Sequence, residues 1–133
     1  MAHWLMKSEP GSYSWEDLLR DGGTEWDGVR NPTARQHLKA MKAGDEAFFY
    51  HSGEERRIVG IMRVSRGPQP DPKDAAWVSV AVEPVRPFGP VTLKEIKAEP
   101  SLAKMELVRL SRLSVSPVRE AEWNAILKMG GTK

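Results

Sequence analysis

Cysteine is absent from this 133-residue chain, and so are long apolar runs and a strong excess of either charge. Without cysteine, disulfides and thiolate metal sites are excluded. No apolar run approaches the ~20 residues of a membrane-spanning helix, and the first residues lack the pattern of a cleavable signal peptide. The formal net charge is only +2, which is too small for binding polyanions by overall charge alone. We therefore expect a cytoplasmic globular protein without a membrane partner.

Catalytic signatures are also scarce. The three histidines are His3, His37 and His51, and no two have the i, i+4 spacing of a helical metal site. Ser52 follows His51 directly, but neighbouring residues on a strand point to opposite faces, so the pair cannot act as nucleophile and base. Neither a G-x-S-x-G elbow nor a glycine-rich phosphate loop occurs. The residues give no positive indication of an enzyme, a metal site or a cofactor.

Local patterns predict one α+β domain over residues 1–133. Alternating apolar residues indicate strands at 3–8, 46–52, 58–65, 76–85 and 112–118. Capping signals begin short helices at Ser14, Asn31 and Thr92, and a last helix follows Val118. The proline-rich stretch 66–74 is predicted to be a loop, and residues 25–30 a turn. This order favours a small curled sheet or barrel with short helices packed on it.

Candidate binding residues surround the helix that begins after Asn31. Trp26 precedes an Asp27-Gly28 turn, so it is either a core residue or an aromatic surface on which a planar ligand stacks. Asn31 is expected to cap the helix, while its amide retains a donor for a ligand. Basic residues repeat along the helix, either as a solvated face or as the border of a pocket: Arg35, Lys39 and Lys42. Polar residues that end two strands can line a barrel mouth: Lys7, Ser8, Tyr50, His51 and Ser52.

Six short motifs together resemble the EVE domain family. They are WLMKSEP at 4–10, YSWEDL at 13–18, WDGVRN at 26–31, FFYHS at 48–52, RLSVSPV at 112–118 and EWNAIL at 122–127. The resemblance covers nearly the whole chain. It implies a PUA-like fold, a small curled β-barrel with flanking short helices. It also implies a DNA-binding module that recognises a modified base, particularly a modified cytosine such as 5-methylcytosine, by flipping it into a pocket.

The resemblance also assigns roles to residues in the matching motifs. The base pocket would be formed by Lys7, Ser8, Trp26, Val29, Asn31, Tyr50, His51 and Ser52, with Leu113 and Ser114 at its rim. The phosphate backbone would be held by Arg30, Arg35 and Lys39. The implied partner is nucleic acid, no cofactor is implied, and we expect a monomer. Two alternatives remain open: an accessory protein for RNA binding or RNA modification, by analogy with other PUA-like domains, and a small enzyme acting on a nucleotide-like ligand.

Overall fold

A computed structural model describes residues 2–130. The strands are β1 (His3–Ser8), β2 (Thr24–Trp26), β3 (Glu46–His51), β4 (Arg57–Asp71), β5 (Asp74–Thr92) and β6 (Val115–Val118). The helices are α1 (Trp15–Asp21), α2 (Pro32–Ala40), α3 (Leu93–Ala98), α4 (Glu106–Arg109) and α5 (Glu120–Gly130), with a short 3-10 turn at Pro100–Leu102. Within residues 2–130, none of the helices has the length and apolarity needed to cross a membrane.

The six strands form one curled sheet in the order β2-β5-β4-β3-β1-β6. β1 and β3 are parallel, and the other neighbouring strands are antiparallel. The edge strands β2 and β6 do not pair with each other, so the barrel is not closed. Helix α2 contacts β4, β5 and β6 and thereby covers the opening. The α+β class and the curled, PUA-like architecture are confirmed.

Both faces of the sheet are buried, and each face has its own core. Along β3, Phe49 points into a core with helices α1 and α2, whereas Phe48 and Tyr50 point into a second core with the helices that follow β5. The ring of Phe48 stacks on Trp123 of α5, with 3.9 Å between the ring centroids. The predicted alternation of β3 is confirmed, because successive side chains of a strand face opposite sides.

The predicted helix starts are confirmed in detail. The Ser14 hydroxyl accepts a hydrogen bond from the backbone N–H of Asp17 at 3.1 Å, and the Asp17 carboxylate accepts one from the backbone of Ser14 at 2.9 Å. Asn31 Oδ1 accepts from the backbone N–H of Ala34 at 2.9 Å. The same reciprocal cap begins α3 at Thr92. These side chains satisfy amide groups that have no partner inside the helix.

Two predictions of loop structure were wrong. Residues 66–74 are not a loop, because β4 continues to Asp71 and β5 begins at Asp74. Bulges interrupt the pairing between residues 66 and 69 and again after Pro70, and such positions accommodate proline. Residues 24–26 are a strand paired with 80–82 of β5, so Trp26 lies opposite Val80. The prolines obscure the first pairing, which is a hairpin, and the second pairing joins distant parts of the chain, which local turn signals do not reveal.

The tip of the long β4–β5 hairpin is tied to the segment after β2 by Asp71. Its fully buried carboxylate accepts hydrogen bonds from the backbone of Gly28 at 2.9 Å, from Arg30 Nη1 at 3.0 Å and from the backbone of Lys73 at 2.7 Å. Burial alone would raise the pKa of Asp71, but these three hydrogen bonds outweigh it and lower the pKa to about 2. Asp71 therefore fixes the position of residues 28–30.

The hydrogen bonds to the Asp71 carboxylate give the stability of the fold a defined pH dependence. The pKa of Asp71 is lower in the folded protein than the value of about 3.9 in an unfolded chain, so its stabilisation is complete above about pH 4 and is lost as the pH falls toward 2. We expect Asp71→Asn to lower the urea midpoint of unfolding at pH 7. The difference in urea midpoint between wild type and variant should become smaller as the pH falls from 4 to 2. Parallel pH profiles would contradict this, and Asp74→Asn at the same hairpin tip is the control.

Candidate functional site

A cavity of about 450 Å³ opens where the ends of β1 and β2 meet the segment 27–30. The structure brings six of the predicted site residues together in its lining: Lys7, Ser8, Trp26, Val29, Arg30 and Ser114. They come from three stretches that are distant in sequence. The pairing of β1 with β6 brings Ser114 next to Lys7, whose backbone N–H donates to the carbonyl of Ser114 at 2.9 Å. Tyr13, Glu25 and Asp27 also line the cavity.

Trp26 belongs both to the core and to the cavity wall. Its side chain is 8% exposed, and its ring packs edge to face on Phe49 with 5.5 Å between the centroids. Phe49 is itself completely buried. Trp26 is therefore a core residue whose indole also presents a wall with a fixed orientation to the cavity, and stacking of a ligand on it stays a prediction.

Two polar side chains at the end of β1 are held by backbone carbonyls. Lys7 Nζ donates to the carbonyl of Ser111 at 2.9 Å and lies 5.7 Å from the centroid of the Tyr50 ring. Burial lowers the pKa of Lys7. The Ser8 hydroxyl donates to the carbonyl of Tyr13 at 2.5 Å. A hydroxyl that donates one hydrogen bond still carries two acceptor lone pairs, so Ser8 can accept from a ligand in the cavity.

Glu25 supplies the cavity with a carboxylate that the sequence analysis did not single out. Its two oxygens accept from Nη1 and Nη2 of Arg66 at 2.8 and 2.6 Å, and it also accepts from the hydroxyl of Ser79. The hydrogen bonds from Arg66 lower the pKa of Glu25 most strongly. A carboxylate has about four acceptor positions, so Glu25 remains an anion able to accept from an amino group.

Three predicted pocket residues at the end of β3 and directly after it do not line this cavity. Tyr50 is buried in the second core. His51 is buried, and its Nε2 accepts from the backbone N–H of Trp15 at 3.0 Å, while its Nδ1 lies 2.8 Å from the Glu55 carboxylate. In the neutral ring, Nδ1 therefore carries the proton, and His51 caps the start of α1. Ser52 donates its backbone N–H to the end of β1.

Asn31 and Leu113 line a second hollow of about 370 Å³, next to the cavity, and not the cavity itself. The cavity and the hollow are neighbours. Arg30 and Ser114 line the cavity, and the residues next to them in sequence line the hollow. Asn31 contributes its side-chain oxygen to the cap of α2. The residues that the resemblance groups into one pocket are thus divided between two adjacent spaces.

Two of the three predicted backbone-binding cations lie over Trp77, a residue that no sequence motif indicated. The guanidinium carbons of Arg30 and Arg35 lie 5.7 and 4.8 Å from the centroid of the Trp77 ring. Arg35 Nη1 donates to the carbonyl of Ala76 at 3.2 Å. Arg30 is paired with the Asp71 carboxylate, whereas stacking on Trp77 restricts Arg35 without neutralising its charge. The third cation, Lys39, is exposed on α2.

No set of three metal-ligating side chains is clustered anywhere in the part of the chain that the structure describes. The lining of the cavity combines an aromatic wall, oxygen acceptors and two basic side chains, and this chemistry suits a planar polar molecule.

Comparisons with known proteins match this architecture. The EVE domain model matches residues 2–129. An NMR structure of a Rhodopseudomonas palustris protein is 48% identical with a TM-score of 0.93, covering 98% of this chain and 94% of that chain. Human thymocyte nuclear protein 1 is 34% identical, over 96% of this chain and 73% of its own length. A crystal structure of human THYN1 protein in complex with 5-methylcytosine containing DNA has a TM-score of 0.91 and 34% identity, covering 97% of each chain.

The fold is also found at low sequence identity. The YTH domain of Zygosaccharomyces rouxii MRB1 protein is 16% identical and has a TM-score of 0.63, covering 96% of this chain and 85% of that chain. At that identity the likeness concerns the fold alone. The family match spans the strands, the helices and the cavity described above: this chain belongs to the EVE domain family.

Proposed function

We propose that this chain is a nucleic-acid-binding module that reads a modified cytosine in DNA, taking the flipped base into the 450 Å³ cavity. The observation that carries the proposal is the combination of an indole wall, two oxygen acceptors and the basic side chains of Lys7 and Arg30 in one lining. The complex of the related human THYN1 protein with 5-methylcytosine containing DNA supports it. No cofactor enters this function.

The cavity chemistry suits a cytosine ring. Cytosine presents an exocyclic amino group as a donor, and Glu25 and Ser8 both offer acceptors in the lining. Extruding a base from the stack requires a few kcal/mol, and stacking on Trp26 returns about 1–3 kcal/mol. A buried methyl group contributes about 0.8 kcal/mol, which corresponds to roughly a fourfold preference over unmodified cytosine.

The internal hydrogen bonds favour binding over catalysis. His51, the only histidine among the predicted site residues, has both ring nitrogens engaged within the protein. Lys7 is held by the carbonyl of Ser111. An RNA base could enter the same cavity, so RNA probes matched to each DNA probe are included in the binding test.

The indole wall of the cavity leads to a prediction about DNA affinity. We expect Trp26→Leu to weaken binding to a duplex with one 5-methylcytosine by about 5- to 150-fold, the loss of about 1–3 kcal/mol of stacking, and to abolish the preference over the unmodified duplex. Fluorescence-polarisation titrations measure both quantities. Trp15→Leu is the matched control, because Trp15 packs edge to face on the same Phe49 at 5.6 Å without lining the cavity.

Both variants remove an indole from the core, so each is compared with wild type at a temperature where near-ultraviolet circular dichroism shows the native fold. Loss of the preference in Trp15→Leu to the same extent would contradict the role of Trp26, as would an unchanged preference in Trp26→Leu. Tighter binding of a methylated RNA than of the matched DNA would favour the RNA function.

The proposed contact of Lys39 with the phosphate backbone leads to a prediction about salt dependence. We expect Lys39→Ala to weaken binding to modified and unmodified duplexes by the same factor, and to reduce the slope of log K against log salt concentration by about 1. Titrations over a range of potassium chloride concentrations give the slope. Lys97→Ala is the control, because α3 packs on the opposite face of the sheet. An altered preference for the modified base, with an unchanged slope, would contradict this assignment.

A further inference from the structure

Leu110 is an exposed apolar side chain next to the candidate cavity. Within residues 2–130, three large hydrophobic side chains are strongly exposed: Leu110 at 43%, Leu19 at 46% and Val85 at 39%. Of these three, Leu110 alone lines one of the two adjacent spaces, the 370 Å³ hollow. Single exposed leucines are ordinary on protein surfaces, so its position relative to the cavity is the informative feature.

The backbone around Leu110 is connected directly to the cavity. Lys7, which lines the cavity, donates its Nζ to the carbonyl of Ser111 at 2.9 Å. At the other end of the same turn, Ser114 lines the cavity while Leu113 lines the hollow. A ligand that places one group in the cavity therefore brings its neighbouring groups against the turn 110–113.

This turn is held in one conformation. The N–H of Leu110 donates to the carbonyl of Glu106 at 2.7 Å, and its carbonyl accepts from the backbone N–H of Leu113 at 3.0 Å. Together with the bond from Lys7 to Ser111, three hydrogen bonds fix the residues on both sides of the exposed side chain. A side chain presented by an already ordered turn loses little entropy on binding.

The charges next to Leu110 indicate an anionic partner. Arg109 and Arg112 flank the leucine in sequence, and both are exposed. Arg112 lines the same hollow as Leu110, whereas Arg109 donates its Nε to the carbonyl of Lys104 and lies 3.8 Å from the Glu106 carboxylate. An apolar tip beside the cation of Arg112 complements an apolar base stack bordered by phosphates. Proteins that distort duplex DNA insert leucine and similar side chains between bases.

We propose that Leu110 is a wedge that enters the DNA duplex and fills the space vacated by the flipped base. This inference rests on the proposed function. The wedge stabilises the opened duplex, so its effect depends on the presence of a paired and stacked site. It does not contact the flipped base, which remains in the cavity with Trp26.

The test uses one modified strand in two forms: a fully paired duplex with a single 5-methylcytosine, and the same strand alone. We expect Leu110→Ala to weaken binding to the duplex by roughly tenfold, because the truncated side chain no longer fills the gap. Binding to the single strand should change by less than about twofold, because no stacked duplex has to be opened. Leu19→Ala is the matched control, with nearly equal exposure at a position remote from both spaces.

The outcomes separate the wedge from the function on which it rests. If wild type shows no preference for the modified duplex or the modified strand, the proposed function fails and the wedge fails with it. If wild type shows the preference, equal duplex affinity in Leu110→Ala overturns the wedge alone. An equal loss on both probes also overturns it, because Leu110 would then support the cavity. Self-association that Leu110→Ala abolishes, measured by sedimentation, would instead assign Leu110 to a contact between copies.

Discussion

The orientation of the Trp26 ring depends on its edge-to-face contact with Phe49. Phe49 lies between two indoles, with centroids 5.5 Å from Trp26 and 5.6 Å from Trp15. Trp15 is held in turn by the bond from its backbone to His51 and by the absence of a side chain at Gly60, where a Cβ atom would lie 2.5 Å from the indole. The cavity wall is thus an extension of the core, and it is as rigid as the core packing.

Features of the fold that depend on neighbouring residues could be predicted from the sequence. The reciprocal cap at Ser14 and the alternation of Phe48 and Phe49 involve residues one to three positions apart, so their patterns are visible in a short window. The end of β4, residues 66–71, could not be predicted as a strand, because its prolines indicate a loop. Only the bulged pairing with β5 shows how these prolines fit into a strand. Strand β2 was missed because its partner is the distant stretch 80–82, whereas the adjacent Asp27-Gly28 indicates a turn.

The candidate site was predictable only where a motif places a residue directly on its wall. Trp26 and Ser8 line the cavity, whereas His51 turns toward the start of α1, a contact between residues 36 positions apart. Glu25 and Trp77 were missed because their roles depend on partners that are distant in sequence. Glu25 is an anion held by an arginine 41 positions away in the sequence, and no local pattern encodes such a pair.

The position of β1 between β3 and the edge strand β6 has a consequence for how the chain folds. This strand pairs with β3 on one side and with β6 on the other, so His3 lies beside both Glu46 and Val118. At a translation rate of about 5–20 residues per second, β6 is made roughly 5–20 seconds after β1. Until then β1 has an unpaired edge, and the wall that carries Ser114 is missing. We expect the sheet to be completed only after synthesis of residues 115–118, and folding to be slow because its decisive contacts join distant parts of the chain.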